Sequence, residues 1–325
     1  MTNNKIRWGI IGCGDVTEVK SGPAFNKVPN SELVAVMRRN AAKAEDYARR
    51  HHVEKWYGDA ADLINDPDVN AIYVATPPLQ HEDYAVQALK AGKPVYVEKP
   101  MAIDVAAAKR MVQAANETGV KLCVAHYRRQ QPLFLKLKSL LAEGAVGQPR
   151  LVNLQCLQPH QAPMITKTED AWRYNPAVSG GGLFYDLAPH QLDLMLYFFG
   201  EPQQVNGVSL NASQLYNADD ITGGQVLFPN EVLFNGAWCF TVSENRDSCE
   251  IIGTEGSLHF RIFEHKLLTL KKESKEIRFS FDALQHVQQP MIEKVVAYFL
   301  GEGENPCSGE EGVTVMEMIE KMAEK

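Results

Sequence analysis

Ile6-Arg7-Trp8-Gly9-Ile10-Ile11-Gly12-Cys13-Gly14 is a short apolar strand running into two glycines one residue apart. Glycines there permit a tight turn and let the backbone come close to a ligand. The next residues, Asp15-Val16-Thr17, open a helix whose N-terminal end favours a negative group such as a pyrophosphate. Thr17 stands where a third glycine is usual, and Pro23 should disturb the helix. A lone G-x-G is a weak signal that gains weight where it opens a βαβ unit. Outward from it, apolar runs recur at 33–37, 71–75, 94–98 and 121–125, with a weaker one near 55–57. Helical stretches at 41–51, 81–91 and 105–118 separate them, and Asp104 is a natural N-cap for the last. Continuously apolar strands belong to a parallel sheet buried on both faces, with right-handed crossovers. Residues 1–125 are expected to form a doubly wound, dinucleotide-binding Rossmann domain of α/β class.

Beyond His126 the pattern changes. A helix at 133–143 leads to a strand at 150–157, an irregular polar stretch and a helix at 183–199. Strand-like runs follow at 204–211, 221–228, 232–240, 248–253, 257–261, 267–272 and 277–281, which reads as an antiparallel meander. Helices at 283–300 and 309–325 close the chain. Residues 126–325 are expected to form an α+β domain with a large open, mainly antiparallel sheet, whose open face needs a partner or cover.

The 325 residues suffice for about two domains with real cores. A net charge of -7 and the lack of a basic stripe argue against a nucleic-acid partner. Six scattered cysteines without a C-x-x-C pair suit free thiols in a reducing compartment. No signal-peptide pattern and no membrane-length apolar run is present, so a cytoplasmic protein with no membrane partner is expected.

Polar residues collect at the strand ends. The second strand ends in Met37-Arg38-Arg39-Asn40, where an acidic residue would accept the ribose 2′-hydroxyl of NAD. A guanidinium there instead suits a 2′-phosphate, so NADP is favoured over NAD, with Arg38 and Arg39 on the phosphate. The alternative is that both arginines are solvated loop charges. Ala75-Thr76-Pro77 can edge the dinucleotide; His81 opens the next helix, where capping or packing is a simpler role than reaction. The next strand delivers Glu98-Lys99-Pro100 to the ligand edge. There the lysine can hold or relay a proton, and the proline can set its direction through a restricted, cis-capable peptide. Tyr127 follows the sixth strand.

The second constellation is a glycine run, Gly180-Gly181-Gly182, before a helix carrying Asp186, His190, Asp193 and Tyr197 on one side. The other residues there are mostly apolar, so the helix should be buried and its polar stripe should need partners, which a ligand cavity would supply. His190 can exchange a proton near neutral pH and Asp186 can orient the reacting group. Two alternatives are a satisfied core histidine and a metal held by Asp186, His190 and Asp193. The latter lacks further ligands, and no metal is assigned. Trp172-Arg173 and Tyr174-Asn175 pair aromatic surface with donors, as sugars and polyols require.

These motifs occur in order at suitable spacing: Gly12-Cys13-Gly14, Ala75-Thr76-Pro77-Pro78 with His81, Glu98-Lys99-Pro100, Trp172-Arg173, and Gly180-Gly181-Gly182 with Asp186, His190 and Asp193. Together they resemble the glucose–fructose oxidoreductase/inositol dehydrogenase (Gfo/Idh/MocA) family over nearly the whole chain. The resemblance implies NAD(P)-dependent hydride transfer at a sugar, cyclitol or polyol hydroxyl or carbonyl. It also implies a homodimer or homotetramer through the C-terminal sheet. Lys99, His190 and Asp186 match its catalytic residues. Expected cofactor contacts are Gly12, Cys13, Gly14, Asp15, Val16, Arg38, Arg39, Ala75, Thr76, Pro77, His81, Glu98 and Lys99. Expected substrate contacts are Lys99, Tyr127, Trp172, Arg173, Asp186 and His190. Two alternatives are a redox-assisted glycosidase of the same family and a non-catalytic NADP(H)-binding regulator. Substrate choice is expected in the loop at 158–175 and near Asp219 and Asp220.

Overall fold

The computed structural model describes residues 5–160 and 172–324. The first half contains β1 (Ile6–Ile11), α1 (Asp15–Val19), β2 (Ser31–Met37), α2 (Ala41–His51), β3 (Lys55–Tyr57), α3 (Ala60–Asn65) and β4 (Ala71–Val74). It continues through α4 (His81–Lys90), β5 (Val95–Val97), α5 (Val105–Thr118) and β6 (Leu122–Val124). All six strands pair in parallel in the order β3-β2-β1-β4-β5-β6. Chain order reverses between β1 and β4, and in such sheets ligands bind outside the carboxyl ends at that point. Every residue of β4, β5 and β6 is buried, as their unbroken apolar character requires.

Local signals set the helix ends. The Asn40 side chain accepts the Lys43 N–H at 3.1 Å, and Asp104 accepts that of Ala107 at 2.7 Å. Gly119, at φ +67°, ends α5. As expected from Pro23, α1 stops after one turn and a 3-10 turn at Gly22–Asn26 replaces it.

The second half contains α6 (Pro132–Ala142), β7 (Pro149–Leu157), α7 (Pro176–Ser179), α8 (Leu183–Phe199), β8 (Gln204–Leu210), β9 (Ile221–Phe228) and β10 (Val232–Cys239). Then come β11 (Arg246–Gly253), β12 (Ser257–Phe260), β13 (Leu267–Lys272), β14 (Lys275–Ser280), α9 (Gln289–Leu300) and α10 (Gly309–Ala323). The eight strands form one sheet in the order β14-β13-β12-β11-β7-β10-β9-β8, antiparallel except where β7 meets β10. On β10, Val232, Phe234 and Trp238 point to the buried face, where the Trp238 indole N–H donates to Gln191 of α8 at 2.6 Å. Among the described residues no helix is long and apolar enough to cross a membrane.

The compact units do not follow a linear cut at residue 125. The first joins Met1–Tyr127 to Gln285–Met316, and the second joins Arg128–Leu284 to Glu317–Lys325. The physical reason is α9, which buries Met291, Ile292, Val295, Val296 and Phe299, the last with its ring 5.5 Å from Trp8. The helix expected from 283 begins only at Gln289. Before it, the His286 ring and the Gln288 N–H bond the carbonyls of Val19 and Lys20.

Candidate active site

The β1 turn is built for close approach. Gly12 lies at φ +96°, and a Cβ there would stand 2.7 Å from the Thr76 methyl and 2.8 Å from its nitrogen. A Cβ on Gly14 would enter open space, with only the Gly12 carbonyl within reach at 3.8 Å. The N–H groups of Gly12 and Cys13 both donate to the Met37 carbonyl, whereas those of Asp15 and Val16 belong to the first turn and have no partner within the helix. Thr17 is fully buried; its hydroxyl donates to the Gly14 carbonyl at 2.8 Å and accepts the Gly14 N–H at 3.0 Å. The departure from a third glycine is therefore a cap. Close packing is left to Gly22, where a Cβ would meet the Thr17 carbonyl at 2.2 Å and the Tyr47 hydroxyl at 2.3 Å.

At the end of β2, Arg38 is half-buried and Arg39 exposed. Among the described residues neither guanidinium makes a hydrogen bond or ion pair. Nearby cations are committed: Arg50 holds Glu18 at 2.7 and 2.8 Å and Asp46 at 2.7 Å, and His51 reaches Glu18 at 2.8 Å. The Arg50 hydrogen bonds hold the Glu18 carboxyl below its usual range. After β4 the Thr76 hydroxyl is buried with no hydrogen-bond partner among the described residues. An open space at Gly14, free first-turn N–H groups, an orphaned hydroxyl and two uncommitted guanidiniums suit an anionic dinucleotide.

After β5 the Lys99–Pro100 peptide is cis, and Lys99 is half-buried. Glu98 is buried: its Oε1 accepts the Tyr73 hydroxyl and the Gln288 amide, both at 2.6 Å, and its Oε2 accepts the Lys99 N–H at 3.1 Å. Tyr127, also buried, opens the turn after β6.

In the second unit Gly182, at φ +80°, caps α8, and a Cβ there would collide with Ala218 at 2.3 Å. Asp186 and His190 are both buried on α8. Arg173 donates to Asp186 at 2.9 Å while its guanidinium lies 4.4 Å from the Trp172 ring, so structure unites Trp172, Arg173 and Asp186. The His190 ring meets Phe263 edge-on at 5.8 Å. Phe263 is fixed in turn by Arg128, stacked at 4.8 Å and bonded to the Ile262 carbonyl, and by Asp247, which accepts the Phe263 N–H at 2.7 Å.

Residues 6–126 match a family model described as an oxidoreductase family with an NAD-binding Rossmann fold, and residues 134–259 match the GFO/IDH/MocA C-terminal domain. Oxidoreductase P35 of Formosa agariphila is 45% identical over 98% of both chains. The chain belongs to the Gfo/Idh/MocA family of oxidoreductases. A 1,5-anhydro-D-fructose reductase of Ensifer adhaerens is 28% identical, over 94% of this chain and 92% of its own. A levoglucosan dehydrogenase structure, solved with NADH and levoglucosan, shares the fold with a TM-score of 0.86 at 22% identity, covering 98% of this chain and 96% of its own. The protein is thus a dehydrogenase or reductase using a nicotinamide cofactor.

Within this Gfo/Idh/MocA chain several expected contacts have other roles. His81 is fully buried, its ring nitrogens 3.0 Å from the Pro100 carbonyl and 2.7 Å from that of Thr76; burial holds its pKa below the usual value. It brackets two loops and has no face left for a cofactor. Cys13 is likewise buried, its thiol pushed up to about 12 by burial, and only its backbone lies in the turn. The Glu98 carboxylate is consumed by protein donors. The stripe on α8 finds protein partners as well as any cavity: Arg129 pairs with Asp193 at 2.7 Å and lies over Tyr197 at 5.2 Å. Asp220 accepts from the Ala212 and Ser213 N–H groups and the Thr241 hydroxyl, so it holds a loop. Most of the stretch expected to choose substrate, residues 161–171, lies outside the described residues. Gln288, Tyr73, Phe263, Asp247, Arg128 and Arg129 were not singled out from sequence.

Proposed function

We propose that the protein transfers hydride between NADP(H) and a CH–OH or carbonyl group of a sugar, cyclitol or related polyol. The observation that carries the cofactor choice is the uncommitted Arg38–Arg39 pair at the end of β2, with no carboxylate in its place. A 2′-phosphate would take charge-assisted hydrogen bonds from these guanidiniums. The substrate class is supported by the Trp172–Arg173–Asp186 arrangement and by the carbohydrate named for the Ensifer relative.

A nicotinamide dinucleotide, when bound, supplies hydride exchange with a substrate carbon. The residues proposed to hold it are Gly12, Gly14, Asp15 and Val16 at the turn, Arg38 and Arg39 at the 2′-phosphate, and Ala75, Thr76 and Pro77 along the chain. Lys99 hydrogen-bonds the reacting oxygen and stabilises its developing negative charge. His190 takes the hydroxyl proton during oxidation and returns it during reduction. Asp186, fixed by Arg173, orients the substrate, and Tyr127 and Trp172 complete its contacts.

Initial rates with NADP and NAD across polyols, aldoses and aminosugars test this reading. A KM for NADP at least about ten-fold below that for NAD is expected, the equivalent of one weakly screened charge-assisted bond. Equal or reversed preference overturns the cofactor choice. Hydrolysis of a glycoside without accumulating reduced cofactor overturns net oxidoreduction. We also assign the outer face of the eight-stranded sheet, with Asn153, Gln155, Asn235 and Glu250 on its open side, to a second copy of the chain. Sedimentation as a monomer at micromolar concentration would contradict that assignment. Six free cysteines, five of them buried, support a reducing, cytoplasmic setting.

A further inference from the structure

We propose that Gln288 is a positioning residue for Lys99, acting through Glu98; this rests on the proposed role of Lys99. Gln288 is fully buried and lies 190 residues from Glu98 in sequence. Its Nε2 donates to Glu98 Oε1 at 2.6 Å, and its Oε1 accepts the Tyr96 hydroxyl at 3.3 Å. The same Glu98 oxygen accepts the Tyr73 hydroxyl at 2.6 Å. The other oxygen is left to receive the Lys99 N–H at 3.1 Å.

A buried carboxylate with fixed donors on one oxygen has little rotational freedom, so the orientation of the other oxygen is set as well. Tyr73 remains a donor across the working range, because burial, reinforced by the Glu98 charge, lifts its phenol well above the ordinary value. Gln288 is anchored independently through its own N–H, which donates to the Lys20 carbonyl at 3.1 Å. Two residues earlier, the His286 ring bonds the Val19 carbonyl at 2.6 Å. Residues 286–288 thus tie the last turn of α1, the helix that starts at the Gly14 turn, to the peptide that carries Lys99. The cofactor turn and the lysine share one register.

Gln288→Leu tests this in the full-length enzyme with NADP and the best substrate of the panel. The expected result is a fall in kcat of about 10- to 100-fold, the scale of a small misplacement of a reacting group. NADPH affinity, read by fluorescence titration, stays within about two-fold because the cofactor contacts are untouched. The double variant Glu98→Gln/Gln288→Glu, which restores a hydrogen bond between the two positions, recovers part of the lost kcat. A lowered melting temperature with kcat unchanged overturns the proposal, as does a loss of NADPH affinity equal to the loss in kcat. If Gln288→Leu does not fold, Tyr73→Phe removes one donor from the same oxygen and is judged by the same outcomes. Lys99→Met separates the two claims. Full turnover in that variant overturns the role of Lys99 itself, whereas an inactive Lys99→Met beside a fully active Gln288→Leu overturns only the positioning.

Discussion

A guanidinium at a strand end has a small menu of uses: pair with a carboxylate, stack on a ring, or wait for an anion. Around β2 the acids are already claimed, since Glu18 and Asp46 are bridged by Arg50. Among the described residues the Arg38 and Arg39 guanidiniums make no hydrogen bond or ion pair, and Arg38 is partly shielded from water, which strengthens its field. Replacing Arg38 by Ala is expected to raise the KM for NADP about ten-fold while leaving that for NAD within about two-fold, as removal of one phosphate-specific bond requires. Steady-state kinetics with both cofactors read this; equal effects on the two would place Arg38 elsewhere. The proposed catalytic pair, Lys99 and His190, is read on turnover instead of on cofactor KM. Lys99→Met and His190→Asn should each lower kcat by about 10²- to 10⁴-fold, the usual contribution of a positioned proton-transfer group. NADPH binding measured by fluorescence should survive both changes. Activity comparable to wild type in both variants would remove these residues from the chemistry.

At the scale of elements, the loop between β8 and β9 shows how a carboxylate can look functional and be structural. Burial alone would raise the Asp220 pKa, but hydrogen bonds from Ser213, Ala212 and Thr241 outweigh it and hold the group below its usual value. A folded value below the unfolded one, about 3.9, means the bonds stabilise the protein fully above that pH and cease to do so as pH falls through the folded value. Asp220→Asn should therefore cost about 1.5–3 kcal/mol at neutral pH, with the difference from wild type shrinking below about pH 4. Urea unfolding at several pH values measures it, and a pH-independent difference would refute the linkage. Elements of this kind mark the limit of what local pattern conveys. Strand positions, the Asp104 cap, the break at Pro23 and the glycine turn follow from rules spanning a few residues, and each was legible. Whether Asp186, Asp193 or Asp220 meets a ligand or a protein donor depends on partners 7 to 64 residues away, and no local period encodes those. The protein partners of His81 and Glu98 were hidden for the same reason: the carbonyls and the amide they meet come from other loops.

At the scale of the whole molecule, the first unit is not a stretch of chain but a closed loop, leaving at Tyr127 and returning at Gln285. What returns is core. The Phe299 ring joins Trp8, which itself lies 4.8 Å from Phe25, and Phe25 lies 5.3 Å from Tyr73. Burial of five apolar side chains on α9 contributes on the order of 1.5–3 kcal/mol for each large one, comparable in sum to the net stability of a domain. A fragment ending at residue 127 lacks that contribution and exposes the apolar ground on which α9 lies. It is therefore expected to be unfolded or aggregated and not to bind NADPH. A fragment in which a short flexible linker joins residues 5–127 to 285–316 should regain cooperative thermal unfolding and cofactor binding, since it restores Phe299 and the Gln288 bonds together. Phe299→Ala in that fragment and in the full chain should cost about 3–5 kcal/mol in each, the range for truncating a buried aromatic. Circular dichroism melts with and without NADPH decide the matter. Cofactor binding by the 5–127 fragment alone would mean that the C-terminal return is dispensable to the nucleotide-binding fold.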